Sequence, residues 1–182
     1  EEGAAVFRNS GYSLFNIEAH LVCIIVLFIL FFRQQNSSDQ TENRLIWGRL
    51  LFVQIFFCLT GVLRVLVDIN IISKSNLYQY TATALNFASF GCMCWLIFIY
   101  TADCLKSKIL SSFNKKVFIA IPFIFNVINL VLSGWTGLFM NISGGSMQTG
   151  ALFPLMVMIN LAYPAAASAM ALIMRRTKTG RH

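Results

Sequence analysis

"LIWGRLLFVQIFFCLTGVLRVLVDI", residues 45–69, decides the fold. Its charges sit near the ends, Arg49 at one and Arg64 and Asp68 at the other. The apolar run is long enough to cross a hydrocarbon core as a helix, which takes about 20 residues. A barrel strand would need only about 9–11 residues, alternating apolar and polar. This run is longer and does not alternate. In lipid each backbone polar group needs a partner within the segment, so the run is a helix. Arg64 and Asp68 stand four residues apart, one helical turn, and share a face with opposite charges. A charge at bilayer depth costs a few kcal/mol or more, so what these two residues do is the first functional question.

Four further stretches of this kind flank it, at about 14–32, 80–101, 117–135 and 153–174. Of the 182 residues, 57% are hydrophobic and only 12% charged, against about 25% charged in soluble domains. The expected fold is an all-α integral membrane protein of five transmembrane helices. Residues 14–174 form the bundle, 1–13 an N-terminal segment that is partly an expression remnant, and 175–182 the start of a cytoplasmic linker. Lys and Arg set the orientation. Arg33, Arg44 and Arg49 lie around the first connection, Lys106, Lys108, Lys115 and Lys116 around the third, and Arg175, Arg176, Lys178 and Arg181 after the last span. The second and fourth connections hold only Lys74. This alternation places the N-terminus outside and the C-terminus in the cytoplasm. The net charge of +7 is then a topology signal, with attraction to anionic membrane lipids added. No basic stretch is interleaved with base-stacking aromatics, so no nucleic-acid partner is expected.

The connections carry their own signals. Asp39 followed by Glu42 reads as a capping box opening the second helix. "NISGGSMQTG", residues 141–150, reads as the longest outer loop. Pro122 and Pro164 fall inside helices, and Pro164 should kink the fifth. The five cysteines lie in or beside spans and read as small packing residues. Cys92 and Cys94, two apart on a helix, point nearly opposite ways and make no metal pair. No span contains Lys, and no phosphate loop, nucleophile elbow or paired catalytic carboxylates occur. No catalytic residues and no cofactor are expected.

Polar residues recur at helical spacing: Gln54, Gly61, Arg64 and Asp68 on the second helix; Gln79, Thr83 and Asn86 on the third; Asn126, Asn129, Ser133 and Thr136 on the fourth; Asn160 and Tyr163 on the fifth. Such stripes face a shared interior. Asn, Ser and Thr there also serve as interhelical glue. Intramembrane ionisable groups are functional candidates by default. Arg64, Asp68, Glu18, Asn86, Asn129 and Trp135 are therefore the candidate ligand-binding residues, lining an outward-facing pocket. The plainer reading of Arg64–Asp68 is a structural ion pair with Glu18 as a second acceptor.

Several segments carry a resemblance. They are "NIEAHLVCIIVLFILF" (16–31), "SSDQTENRLIWGRLLFVQI" (37–55), "SSFNKKVFIAIPF" (111–123), "SGWTGLFM" (133–140) and "LFPL" (152–155). In this order they resemble the N-terminal membrane sensor module of bacterial diguanylate cyclases, which joins several helices to a cytoplasmic GGDEF domain. The GGDEF signature itself is absent, so no cyclase activity is carried over. The resemblance implies a ligand-sensing domain of the bacterial inner membrane, relaying a small-molecule or lipid-like signal from the outer side to a cyclase output. Pro164, Arg175 and Arg176 on the fifth helix would pass the signal on. Cyclases of this kind work as dimers, and the alanines at 165, 167, 169 and 171 would permit a homodimer contact. The alternative is a small membrane transporter or channel subunit. It is disfavoured because ionisable groups thin out toward the cytoplasm and no internal repeat exists.

Overall fold

The computed structural model describes residues 2–35, 42–69, 71–72, 75–107, 112–143 and 146–179. The elements are α1 (Glu2–Gln35), α2 (Glu42–Asp68), α3 (Asn76–Cys104), α4 (Phe113–Thr136), β1 (Met140–Ser143), β2 (Ser146–Thr149) and α5 (Phe153–Thr179). Each of the five helices contains a segment long and apolar enough to cross a membrane, as expected for a multi-pass membrane protein. Helix α1 starts at Glu2, well before its spanning segment at Phe15. The capping box at Asp39 lies outside the described residues.

Local chemistry sets the ends. Ser75 caps α3, accepting a hydrogen bond from the Tyr78 amide at 3.3 Å, so the helix opens earlier than hydropathy indicates. Helix α4 closes at Gly137, whose φ of 65° is the left-handed cap conformation that glycine adopts without a Cβ penalty. Pro154 sits in the first turn of α5, where its missing N–H leaves no bond unmade.

Residue contacts fix the packing. Trp47 meets Tyr100, and Thr60 meets Ser89, so α2 and α3 are antiparallel. Tyr80 reaches Leu130 and Trp95 stacks on Phe123, so α3 and α4 are antiparallel. Phe87 meets Phe153 and Phe98 meets Tyr163, so α3 and α5 run parallel. All three of these neighbours pack on α3, which makes it the hub. In its spanning segment 44% of residues are buried, against 6% in α1. Helix α1 packs on α2, with a glycine hole where a Cβ on Gly61 would come 2.5 Å from the His20 imidazole. The outer faces of α1 and α4 carry Val22, Ile25, Ile29, Phe118, Ile121 and Ile128, all exposed. In a bilayer those faces meet acyl chains.

The 141–150 segment is not a loop. It is mostly an antiparallel hairpin, with Met140 opposite Thr149 and Ser143 opposite Ser146. The hairpin is seated by one side chain. Ser133, 1% exposed, accepts from the amides of Phe139 and Met140 at 3.0 and 2.8 Å and donates to the Met140 carbonyl at 3.0 Å. Gly150 lets the returning chain approach the end of α4. A Cβ there would land on the carbonyl oxygens of Gly137 and Leu138. Beneath the hairpin, Leu130, Phe139, Met140 and Met156 form a buried cluster. A second cluster further along the bundle joins Cys94, Phe98, Tyr163 and Ala167. Ala167 therefore packs against α3, and cannot belong to an outward dimer stripe. Ala165 and Ala169 do face outward.

Candidate ligand groove between α3 and α4

The antiparallel bundle gathers the starts of α3 and α5, the ends of α2 and α4 and the hairpin at one end. There α3 and α4 part around a half-open groove of about 760 Å³, within the roughly 300–1,000 Å³ of small-ligand pockets. Ala84, Leu85 and Ala88 form its α3 wall, Val127, Leu130 and Val131 its α4 wall. Met140 and Asn141 of β1 bound the hairpin end. Trp135, 82% exposed, stands beside the mouth at the end of the α4 span, a position tryptophans favour in membrane helices.

The groove is open because its helices touch at few points. Tyr80 donates its hydroxyl to the Leu130 carbonyl and lies against Gly134, where a Cβ would meet the ring at 3.4 Å. Further along, Phe123 lies against Gly91, where a Cβ would meet its ring at 3.4 Å, and stacks on Trp95 at 5.7 Å. Between these points α3 offers Ala84 and Ala88, one turn apart, too short to fill the gap. Small residues at that spacing are a readable signal, but hydropathy and polar spacing pass over them.

The expected site residues do not converge on this groove, apart from Trp135. Arg64 Nε and Asp68 Oδ2 are 4.0 Å apart, with both side chains about two-fifths exposed. The Arg64 guanidinium also lies 6.0 Å over the Phe87 ring. Glu18 is exposed, and no ion pair joins it to Arg64 among the described residues. Asn86 is buried in the α2–α3 seam, donating to the Phe57 carbonyl and the Thr60 hydroxyl, each at 3.3 Å. Asn129 donates to the Phe125 carbonyl of its own helix at 2.8 Å. The side chains of Arg175 and Arg176 lie outside the described residues.

The α4–α5 seam holds the two interior prolines. Pro122 leaves the Phe118 carbonyl of α4 without its ladder donor, and Tyr163 of α5 bridges the adjacent rung. Its hydroxyl donates to the Ile119 carbonyl at 2.7 Å and accepts from the Phe123 amide at 3.2 Å. One turn away, Asn126 donates to Asn160 Oδ1 at 3.0 Å. Pro164 falls four residues after Asn160, so the Asn160 carbonyl lacks its ladder donor. The α5 segment around its proline is thus built into the packing against both α3 and α4.

No protein-family model matches this chain, and no characterised protein or solved structure matches it.

Proposed function

We propose that the chain is a ligand-sensing membrane module in which the α3–α4 groove receives the ligand and α5 carries the response. The observation that carries this reading is that α3 does two jobs. It forms one wall of the groove through Ala84 and Ala88, and it packs in parallel along α5 through Phe87–Phe153 and Phe98–Tyr163. An occupant that spreads α3 from α4 must also shift α3 against α5, whose far end carries Arg175 and Arg176. With the charge alternation read as positive-inside, the groove opens toward the outer leaflet of a bacterial inner membrane and α5 exits into the cytoplasm. The segment resemblance supports a diguanylate cyclase as the output, and a dimer as its working state.

The test is thermal unfolding of the purified chain in detergent against amino acids, small carboxylates, short peptides, fatty acids and monoacylglycerols. A ligand that raises the midpoint of wild type, but not of Val131→Phe, supports the groove. Cysteines placed singly at residues 76 and 115 should label from the outside and the inside of intact cells respectively. The reverse pattern would overturn the orientation. Flux of any stabilising compound into proteoliposomes would favour the transporter reading instead.

A further inference from the structure

We infer that the groove takes the acyl chain of a neutral amphiphile, with an uncharged hydrogen-bonding head held at its hairpin end by Asn76 and Asn141. This inference rests on the groove being the ligand site, and goes further by assigning the ligand's chemistry. Three observations carry it.

The walls are polarised along their length. Along the groove away from the hairpin lie Ala84, Leu85, Ala88, Val127 and Val131, with no polar side chain among them. Asn76, Thr81, Ser133 and Asn141 all lie at the hairpin end. That gradient matches a molecule with an apolar tail and a polar head.

The polar groups at that end are unequally available. Thr81 already donates to the Leu77 carbonyl at 2.8 Å, Tyr80 to the Leu130 carbonyl, and Ser133 holds three backbone groups of the hairpin. The side-chain amides of Asn76 and Asn141 have no hydrogen-bond partner among the described residues, and both are exposed. Each offers two donors and an acceptor. These are the groups left for a ligand.

Among the described residues, no charged side chain lines the groove. A carboxylate or phosphate head placed between Asn76 and Asn141 would meet no cation among the described residues, at the edge of an apolar slot where an unpaired charge is costly. A hydroxyl, ester or amide head meets its partners there without that cost. The chemistry is that of a monoacylglycerol or an acyl amide, drawn from the membrane or from solution.

The experiment uses the whole chain in nanodiscs with a monoacylglycerol bearing a diazirine along its tail. After photolysis, the labelled residues are mapped by mass spectrometry. Unlabelled monoacylglycerol, oleate and lysophosphatidylglycerol compete. The expected result is labelling on residues 84–88 and 127–131, displaced at least about fivefold better by the neutral competitor, the scale of a hydrogen bond lost or a charge left unpaired. Ala88→Phe and, on the lipid-facing wall, Val131→Phe should each abolish that labelling; the second leaves the α3 packing untouched. Asn76→Ala with Asn141→Ala should erase the preference for the neutral head while leaving the tail labelled. Displacement by oleate or lysophosphatidylglycerol as good as by monoacylglycerol overturns the head assignment and leaves the groove a ligand site. Labelling spread evenly over α1 and α4, and unchanged by both phenylalanine variants, overturns the groove as well.

Discussion

The two long sides of α3 solve the problem of membrane packing in opposite ways. Against α2, Asn86 and Ser89 are engaged with a hydroxyl and with backbone carbonyls. Asn86 bonds Thr60 and the Phe57 carbonyl, Thr60 meets Ser89, and Ser89 turns back to the Leu85 carbonyl. Against the hairpin half of α4, small residues leave a gap, and the exposed amides at its rim are not engaged among the described residues. Polar residues inside a membrane bundle are therefore a poor guide to function when taken alone. The saturated ones are glue. The informative ones stand beside empty space with bonds still to make.

Breaking the open side should have the largest effect. Gly150→Ala drives a methyl into the Gly137 and Leu138 carbonyls and unseats the hairpin. With β1 goes the end wall formed by Met140 and Asn141. We expect a loss of about 2–3 kcal/mol, typical of forced overpacking, read by reversible unfolding in mixed micelles, together with loss of groove labelling. A stable variant that still labels residues 84–88 would show that the hairpin is not part of the site.

The closed seams should respond by smaller, graded amounts. Tyr163→Phe removes the hydroxyl that bridges the Ile119 carbonyl and the Phe123 amide at the Pro122 break, and should cost about 1–2 kcal/mol. Asn86→Ala should cost about 0.5–1.5 kcal/mol, the range measured for polar bonds between membrane helices. Neither residue lines the groove, so labelling there should survive in both. If Asn86→Ala abolished labelling, the α2–α3 seam would be part of the ligand site and the contrast between the two sides of α3 would fail.

The spans were legible because hydropathy and length suffice for them, and the interior faces were half legible. On the fourth helix the expected stripe was Asn126, Asn129, Ser133 and Thr136. At about 100° per residue, Ser133 falls within about 20° of Asn126, whereas Asn129 and Thr136 are swung about 60–80° away. Accordingly Asn126 and Ser133 are buried, Thr136 is exposed, and Asn129 bonds its own backbone. The hairpin has a signal in Gly144-Gly145 between two short alternating runs, a signal that Gly and Ser share with plain loops. The groove could not be read at all from polar spacing. It arises from a void beside Ala84 and Ala88, and a void depends on how far apart Tyr80 and Phe123 hold two helices.

An effect of no more than about 1 kcal/mol is expected at the Arg64–Asp68 pair. Arg64 and Asp68 are 4.0 Å apart and about two-fifths exposed, a separation and exposure at which an ion pair contributes roughly 0–1 kcal/mol. The guanidinium over Phe87 adds a contact of similar size, about 0.5–1 kcal/mol. Phe87 in turn meets Phe153 edge-on at 5.2 Å, so Arg64 stands at the end of a chain of rings linking α2, α3 and α5. Arg64→Ala should therefore lower stability by about 1 kcal/mol and change groove labelling by less than about twofold, because neither charge lines the groove. Arg64→Lys, which keeps the charge but not the planar stack, should recover part of the stability. The Asp68→Asn variant separates the two contributions, since it removes the ion pair and leaves the ring contact in place. A loss of several kcal/mol on Arg64→Ala, or loss of labelling with stability intact, would return the pair to the centre of the ligand site and reverse the roles assigned to the two sides of α3.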